Sequence, residues 1–214
     1  MDNSACGEQN PACVVVIQRI VMKIAIISGS VRIGRKSHVV ALELQKRFMK
    51  SGYLQTEIVD LAAYNLPILE ERYSMHPNLP AGLKEMQQVL DSADALVFLS
   101  PEYHGSYSGV LKNAVDYFWK EFQKKPIGVV SVSTGKFGGI NASTEMQQLV
   151  LSMGGYPMPF KLLVPGVQFA FNEAGELTDE ALGKGMDKFV SELTWLTEAI
   201  MHRKQLDVAK AVQV

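Results

Sequence analysis

Residues 23–37, which read KIAIISGSVRIGRKS, indicate the fold class of this chain. Residues 23–28 are short, rich in β-branched side chains and closed by Gly29, which is typical of a strand buried on both faces. A polar turn follows, and residues 38–50 then carry apolar side chains at near-helical spacing until a Ser-Gly pair ends the pattern. The stretch therefore predicts a strand followed by a helix.

The same alternation continues to the end of the chain. Further strands are predicted at residues 56–61, 95–99, 127–132 and 160–164. Further helices are predicted at residues 81–92, 107–122, 142–153 and 179–202. Thr178 is the predicted cap of the last helix, and residues 62–80 are predicted to be a long connection. This order predicts an α/β fold, in which a parallel sheet has right-handed crossovers and helices on both faces.

Length and charge limit the classes of protein to be considered. The chain has 214 residues, which fits one α/β domain. Its 21 basic and 22 acidic residues leave a formal net charge of −1, so no overall field attracts nucleic acid or anionic lipid. Gln18, Arg19 and Lys23 interrupt the apolar stretch 13–27 well short of the ~20 residues that a membrane span needs. We therefore expect no nucleic-acid or membrane partner.

The two cysteines, Cys6 and Cys13, both precede the first predicted strand. Neither has a nearby histidine or a second cysteine pair, so we expect neither a zinc site nor a disulfide framework. A chain without disulfides is typical of a reducing compartment, and we expect a cytoplasmic protein.

The predicted domain spans residues 22–203, with a C-terminal tail at 204–214. Because Met22 stands directly before the first strand, residues 1–21 are predicted to be an N-terminal extension. Two explanations stay open for this extension, a flexible leader and an upstream start of the reading frame.

In open sheets of this kind the ligand lies beyond the carboxyl ends of the strands, which directs attention to three loops. The first, residues 28–37 (SGSVRIGRKS), leads into a helix whose unpaired N–H groups favour an anion. Ser30 and Ser37 offer hydroxyl donors, and Arg32 offers a planar fork for phosphate oxygens. The Walker and GxGxxG spacings are both absent, so the residue types suit a phosphomonoester. The alternative is an ordinary polar turn with basic residues on the surface.

The other two loops suit a flat ring. Residues 101–109 (PEYHGSYSG) supply the aromatic ring of Tyr103 and the backbone amides near His104 and Gly105, against which a heteroaromatic ring would rest. We favour an exposed turn position for His104 over a role as proton donor. Residues 133–140 (STGKFGGI) would bring the backbone to the other edge of the ring, unless they are a plain Gly-rich connector.

Taken in order, SGSVRIGRKS, PEYHGSYSGVLKNAVDYF and STGKFGG resemble the NADPH-dependent FMN reductase family, which includes quinone, azo-dye and chromate reductases. The resemblance covers residues 22–200 and is most specific at 101–116, where the family commonly reads PEYNGSxPGxLKNAxD. This chain has His104 where Asn is more usual and Ser108 where Pro is more usual.

The first loop also departs from the family's shorter GSxRxxS form, because Arg35 and Lys36 push the serine later. Three residues therefore remain open as the last phosphate contact: Ser37, Arg35 and His38.

The resemblance implies a flavodoxin-like three-layer sandwich around a five-stranded parallel sheet of order 2-1-3-4-5, with one FMN bound. By motif position, the phosphate would be held by Ser30, Arg32 and Ser37. The ring would be held by Pro101, Glu102, Tyr103, His104 and Gly105. The remaining predicted cofactor contacts are Arg35, Ser133, Gly135 and Gly138.

The implied activity is hydride transfer from NADPH or NADH to FMN and then to a small acceptor, namely a quinone, an azo compound, chromate or free flavin. No catalytic side chain is expected, because the flavin carries the chemistry. Arg35, Lys36 and Lys136 are candidates for contact with the 2′-phosphate of NADPH. A homodimer or homotetramer is expected. Residues 62–80 would either wall the partner's crevice or form a surface loop with no such role.

Two other readings of the chain stay open. One is an FMN-binding electron carrier or redox-sensing module with little NAD(P)H turnover. The other is a regulatory domain without flavin.

Overall fold

The structure is a computed structural model and describes residues 21–50 and 54–211. The predicted N-terminal extension lies outside the described residues except for Val21, and both cysteines lie outside them with it. The last three residues of the predicted C-terminal tail also lie outside them.

The described residues form six strands and six α-helices. The strands are β1 Met22–Ser28, β2 Leu54–Asp60, β3 Ala95–Pro101, β4 Pro126–Val132, β5 Tyr156–Pro157 and β6 Leu162–Val164. The helices are α1 Ser37–Met49, α2 Leu61–Tyr64, α3 Leu83–Ser92, α4 Gly109–Asp116, α5 Ile140–Ser152 and α6 Glu180–Ala211. A short 3₁₀ turn, Lys120–Phe122, connects α4 to β4.

The sheet is parallel and has the order β2-β1-β3-β4-β5, with β6 also paired to β4. The predicted fold class and strand order are therefore confirmed. In β1 the side chains of Ile24 and Ile26 pack with α1 and α6, whereas Ala25 and Ile27 pack with α3 and α4. Successive side chains of a strand point to opposite faces, so this alternation places one apolar layer on each side of the sheet.

Of the predicted fifth strand, residues 160–164, only Leu162–Val164 is a strand, β6, and a further short strand, β5, precedes the predicted range. β5 pairs with the start of β4 and β6 pairs with its end. Pro157 ends β5 and Pro159 lies between the two strands, and a proline cannot donate a hydrogen bond to the neighbouring strand. The sheet edge is therefore built from two short pieces.

The predicted helix 107–122 is shorter in the structure, because polar side chains interrupt it at both ends. The Ser108 Oγ accepts a hydrogen bond from the Leu111 N–H at 3.3 Å, which makes Ser108 the N-cap of α4. At the other end, the Glu121 carboxylate accepts a hydrogen bond from the Trp119 N–H at 3.0 Å. The chain leaves α4 before the 3₁₀ turn for this reason.

The last helix differs from its prediction at both ends. The Asp179 Oδ1 accepts a hydrogen bond from the Leu182 N–H at 2.9 Å, whereas the Thr178 hydroxyl donates to the Ala170 carbonyl at 3.2 Å. The predicted Thr178 cap is therefore wrong, and Asp179 takes that role. The helix continues nine residues beyond the predicted end and includes residues 204–211 of the predicted tail. No helix in the described part of the chain is long and apolar enough to cross a bilayer.

The predicted long connection, residues 62–80, is held against α4. The Asn113 side chain donates to the Pro67 carbonyl at 2.7 Å and accepts from the Leu69 N–H at 2.8 Å. The Tyr117 hydroxyl also donates to the Pro67 carbonyl, at 3.0 Å. The segment is therefore anchored to the same helix that follows the second loop.

Candidate functional site

The three loops singled out in the sequence meet at the carboxyl ends of β1, β3 and β4, where they surround an open cleft. The predicted contacts that line the cleft are Ser30, Arg32, Arg35, Ser37, Pro101, Glu102, Tyr103 and Ser133. The lining residues that were not predicted as FMN contacts are Gly34, Lys36, Val132, Thr134 and Val167. His104, Gly105, Gly135 and Gly138 were predicted contacts but lie outside this lining.

Gly29 sets the direction in which the first loop leaves β1. Its N–H donates to the Leu99 carbonyl of β3 at 2.7 Å. A Cβ at this position would lie 2.9 Å from the Leu111 Cβ and 3.0 Å from the Leu99 carbonyl oxygen. The loop therefore passes between β3 and α4 with no room for a side chain.

Ser30 and Ser37 lie at the two ends of the loop and are almost completely buried, with 2% and 3% of their surfaces exposed. The Ser37 Oγ is buried and makes no hydrogen bond to any described residue. Within the described part of the chain, the N–H groups of Ser37 and His38 are also unengaged, because the first bonds of α1 are donated by Val39 and Val40 to the Lys36 carbonyl. A buried polar atom without a partner is costly, so these donors suit an anion such as the FMN phosphate.

Arg32 lies in a tight turn within the same loop. The Arg35 N–H closes this turn on the Arg32 carbonyl at 3.1 Å, and Gly34 adopts a φ of +69°. Arg32 is exposed, and its guanidinium forms no ion pair with a described residue. Its charge is therefore available to an anion in the cleft.

Arg35 has a different environment. Its guanidinium makes two hydrogen bonds of 2.5 Å with the carboxylate of Asp60, the last residue of β2. The Arg35 guanidinium holds the pKa of Asp60 below its ordinary range despite an opposing effect of burial, and the Asp60 hydrogen bond raises the pKa of Arg35. His38, the third candidate for the phosphate contact, has its Nδ1 3.6 Å from the Asp60 Oδ2. The His38 Nδ1 is, like the Ser37 Oγ, buried without a hydrogen-bond partner among the described residues, but His38 does not line the cleft. Of the three alternatives, Ser37 therefore combines an unpartnered polar atom with a place in the lining.

The second loop is a tight turn. Tyr103 and Ser106 exchange backbone hydrogen bonds of 2.8 and 3.1 Å, while His104 and Gly105 adopt φ values of +51° and +79°. Asn and His are among the residues that tolerate this left-handed region best, so the replacement of the family's Asn by His104 preserves the turn. Within the described residues the N–H groups of His104 and Gly105 make no hydrogen bond, which leaves two donors at the rim of the cleft.

Ser108 ties the second loop to the first. Its hydroxyl donates to the Gly29 carbonyl at 2.5 Å, and its N–H donates to the Ser100 Oγ at 2.8 Å. A proline, which the family more often has here, could make neither bond. The departure from the family pattern therefore adds two contacts beneath the cleft.

Glu102 lines the cleft, but its carboxylate is engaged elsewhere. The Glu102 Oε2 accepts a hydrogen bond from the Ala142 N–H at 3.0 Å, in the first turn of α5. A negative charge at this position stabilises the N-terminus of the helix. The side chain therefore connects the second loop to α5. The predicted contact of Glu102 with the ring would have to involve atoms other than the Oε2.

The third loop contributes its first residues to the cleft, and its glycines shape the turn behind them. The Ser133 Oγ accepts a hydrogen bond from the Gly135 N–H at 3.0 Å. Gly138 is buried, and a Cβ there would lie 2.9 Å from the Leu163 Cβ of β6. Val167 joins the lining because its N–H donates to the Ser133 carbonyl at 3.2 Å. No pattern in the sequence near Val167 indicates that it lines the cleft, because Val167 follows β6 and not one of the three strands whose loops were predicted to form the site.

The three candidates for contact with the 2′-phosphate of NADPH differ in their position relative to the cleft and in their ion pairing. Lys36 is exposed and lines the cleft at the start of α1. Lys136 lies outside the lining, with its Nζ 5.2 Å from the centroid of the Phe137 ring. Arg35 is paired with Asp60 as described above. Lys36 is thus the candidate that combines a position in the cleft with an unpaired charge.

The chain is similar to a known protein family and to several of its members. Residues 22–172 match the model of the family described as NADPH-dependent FMN reductase. An NADPH azoreductase of Bacillus sp. strain OY1-2 is 32% identical over 156 residues, which are 72% of this chain and 83% of the relative. An FMN-dependent NADPH-azoreductase of Staphylococcus aureus is 33% identical over 160 residues, which are 72% of this chain and 82% of the relative.

The fold has a solved counterpart in FerB, a flavoenzyme NAD(P)H:(acceptor) oxidoreductase from Paracoccus denitrificans. The two superpose with a TM-score of 0.70 at 24% identity, over 84% of this chain and 98% of FerB. The extent of the family match and the identity with the azoreductases show that this chain belongs to the NADPH-dependent FMN reductase family.

Proposed function

We propose that this chain binds FMN in the cleft above β1, β3 and β4 and uses it to pass electrons from NADPH or NADH to a small acceptor. The proposal rests above all on the buried, unpartnered Ser37 Oγ at the start of α1, in the same cleft lining as the unpaired charge of Arg32. A phosphomonoester would satisfy both groups at once.

In this proposal three side chains bind the phosphate. Ser37 and Ser30 donate their hydroxyls from the two ends of the loop, and Arg32 supplies the neutralising charge. The free N–H groups at the start of α1 add further donors. The positively polarised end of a helix and a cationic side chain together favour a phosphate dianion over an uncharged ligand.

The second and third loops orient the ring. Pro101 and Tyr103 of the second loop and Ser133 and Thr134 of the third loop would contact it, since all four residues line the cleft. The N–H groups of His104 and Gly105 face no described partner and would donate to the polar edge of the ring. When bound, FMN supplies the redox chemistry by accepting a hydride from the nicotinamide and passing electrons to the acceptor. We assign no side chain to proton transfer.

Azo compounds are the acceptor class that we propose to test first, because two relatives at 32% and 33% identity are azoreductases. Quinones, chromate and free flavin remain further candidates. We propose Lys36 as the contact for the 2′-phosphate of NADPH, since its exposed ammonium group lies at the cleft and has no ion-pair partner among the described residues.

The test is an absorbance titration of the purified full chain. We expect FMN to bind in a one-to-one ratio, anaerobic NADPH to bleach the flavin absorbance, and an azo dye or a quinone to restore it. Failure to bind FMN would rule out the proposal. An electron carrier would bind FMN but be bleached slowly by NADPH, so the rate of bleaching separates the enzyme from the carrier.

A further inference from the structure

Arg35 and Asp60 form an ion pair that spans the gap between the first loop and the end of β2. The Arg35 Nη1 and Nη2 donate to the two carboxylate oxygens of Asp60, each at 2.5 Å. Only 18% of the Arg35 side chain and 22% of the Asp60 side chain are exposed. Such a two-bond pair fixes both side chains in one geometry, unlike a single exposed ion pair.

The same guanidinium also holds the loop itself. The Arg35 Nη1 donates a second hydrogen bond, to the Ser30 carbonyl, at 2.5 Å. Asp60 is fixed in turn, because its Oδ1 accepts from the Ala62 N–H at 3.1 Å as the cap of α2. One arginine therefore connects the beginning of the loop, at Ser30, to a rigid point on the neighbouring strand.

The charge balance argues against Arg35 as the main phosphate ligand. Its positive charge is compensated by the Asp60 carboxylate, so the pair adds no net charge to the cleft. The edge of the guanidinium that would grip a phosphate end-on is occupied by Asp60. Arg32, by contrast, has no ion-pair partner among the described residues.

We propose that Arg35 and Asp60 are positioning residues, which hold the phosphate loop in the shape that places Ser30 and Ser37 around the FMN phosphate. This inference rests on the proposed function, because it assumes that FMN binds in this cleft. It assigns a role to Asp60, which does not line the cleft, and it makes the longer loop of this chain dependent on a strand 25 residues away.

The alternative, in which Arg35 binds the phosphate directly, predicts the opposite change in FMN affinity for Asp60→Asn. Removing the negative charge of Asp60 would then strengthen FMN binding, since it frees Arg35 and removes a charge that repels the phosphate. If Asp60 positions the loop, Asp60→Asn weakens FMN binding even though it removes that repulsion.

The experiment compares FMN with riboflavin, which has the same ring but no phosphate, by titration of the full-length apoprotein followed through flavin fluorescence. For Asp60→Asn we expect an FMN dissociation constant about tenfold higher, the scale of one charge-assisted hydrogen bond, and a riboflavin constant changed by less than about twofold. Because the loop acts only through binding, kcat with saturating FMN should stay near that of the unsubstituted chain.

Arg47 provides a control on α1, the helix that follows the phosphate loop. Only 12% of its side chain is exposed, and it pairs with Glu43 and Asp187 at the far end of α1 from the cleft. Arg47→Ala should lower the thermal unfolding temperature while leaving the ratio of FMN to riboflavin affinity unchanged. A loss of that ratio in Arg47→Ala would mean that a weakened ion pair elsewhere around α1 has the same effect as the loss of the Arg35–Asp60 pair, and the positioning role would be wrong.

A second substitution covers the case in which Asp60→Asn fails to fold. Arg35→Lys keeps the positive charge but cannot make both bonds to Asp60 and the bond to the Ser30 carbonyl. The positioning role predicts a loss of FMN affinity of about tenfold here as well, whereas direct charge contact predicts little change.

The outcomes separate the two proposals. If the unsubstituted chain binds no FMN, the proposed function is wrong and the positioning role falls with it. If the unsubstituted chain binds FMN and Asp60→Asn binds it equally well or more tightly, the positioning role alone is wrong.

Discussion

The proposed phosphate site depends strongly on one side-chain atom, the Ser37 Oγ. This hydroxyl is buried in the first turn of α1 and has no partner among the described residues. Such an atom costs stability in the free protein and contributes affinity once a ligand accepts its hydrogen bond.

For Ser37→Ala we expect FMN binding to weaken by about 1.5–3 kcal/mol, the range for a hydrogen bond to a charged group. Riboflavin binding should be unchanged, because that ligand has no phosphate. The thermal unfolding temperature of the apoprotein should stay equal or rise, since an unsatisfied hydroxyl is removed. Titration calorimetry with both ligands measures the first two effects, and an equal loss for FMN and riboflavin would contradict the assignment.

Residue types in the loops were predictable, but the bonds that they make were not. Glu102 was predicted as a cofactor contact from motif position, and Arg35 as one of the alternatives for the last phosphate contact. In the structure both line the cleft, yet Arg35 is paired with Asp60 and the Glu102 carboxylate caps α5. These partners lie 25 and 40 residues away in the chain, where no local pattern reports them.

At the scale of elements, the junction of β1, β3 and α4 supports the phosphate loop. Gly29 leaves no space for a side chain between the Leu99 carbonyl and Leu111, and the Ser108 hydroxyl donates to the Gly29 carbonyl. The loop conformation therefore depends on the close approach of three elements.

Gly29→Ala is expected to destabilise the protein by about 1–3 kcal/mol, because its Cβ would overlap backbone and side-chain atoms that are packed on all sides. FMN binding should weaken as well, since the loop must shift. Gly109→Ala is the matched control in the first turn of α4, where no atom lies within 4 Å of the added Cβ. Its effect should stay within about 0.5 kcal/mol. Urea unfolding of both variants measures the difference, and comparable losses would refute the packing argument.

The strands were predicted best where they are buried on both faces. All residues of β1, β3 and β4 except Lys23 and Pro101 are buried, and most are apolar; the predicted ranges differ from the observed ones by at most two residues at either end. The edge of the sheet was predicted less well, because β5 lies before the predicted range 160–164 and Pro159, which cannot donate a ladder hydrogen bond, separates it from β6. Helices begin later than predicted where a polar side chain accepts the N-cap hydrogen bond, as at Ser108 and Asp179.

At the scale of the whole molecule, the predicted boundary at residue 203 remains a proposal about which residues the domain needs. The last residues of α6 that are buried against the sheet and its helices are Leu193, Thr194 and Thr197. Residues 202–207 of the same helix are exposed. The end of α6 therefore adds little to the apolar core.

A chain limited to residues 22–203 should fold with a thermal unfolding temperature within about 4 °C of the full chain, a shift that corresponds to roughly 1 kcal/mol or less in a domain of this size. Its affinity for FMN should be unchanged, because the cleft lies at the opposite end of the sheet from the start of β1. Differential scanning calorimetry and an FMN titration of both chains test this. Aggregation of the shorter chain, or a weaker affinity, would show that the domain extends further.

Association of the whole molecule stays a prediction. Within the connection at residues 62–80, Ile68 and Met75 are 84% and 70% exposed although the segment is anchored to α4. Apolar side chains on an anchored segment are suited to contact with a second copy, as the expected homodimer or homotetramer requires. The cytoplasmic location likewise stays a prediction.

The sequence by itself determined the α/β class, the three loops and the chemical nature of the ligand, because the spacing of apolar residues and the donor types in a loop are local properties of the chain. Only the tertiary structure decided which donors are free. The Arg35 and Glu102 side chains are engaged by groups that folding brings to them, whereas the Ser37 hydroxyl and the Arg32 guanidinium have no such partner among the described residues. Whether a polar group can bind a ligand depends on what else is within hydrogen-bonding distance, and packing between distant segments sets that distance.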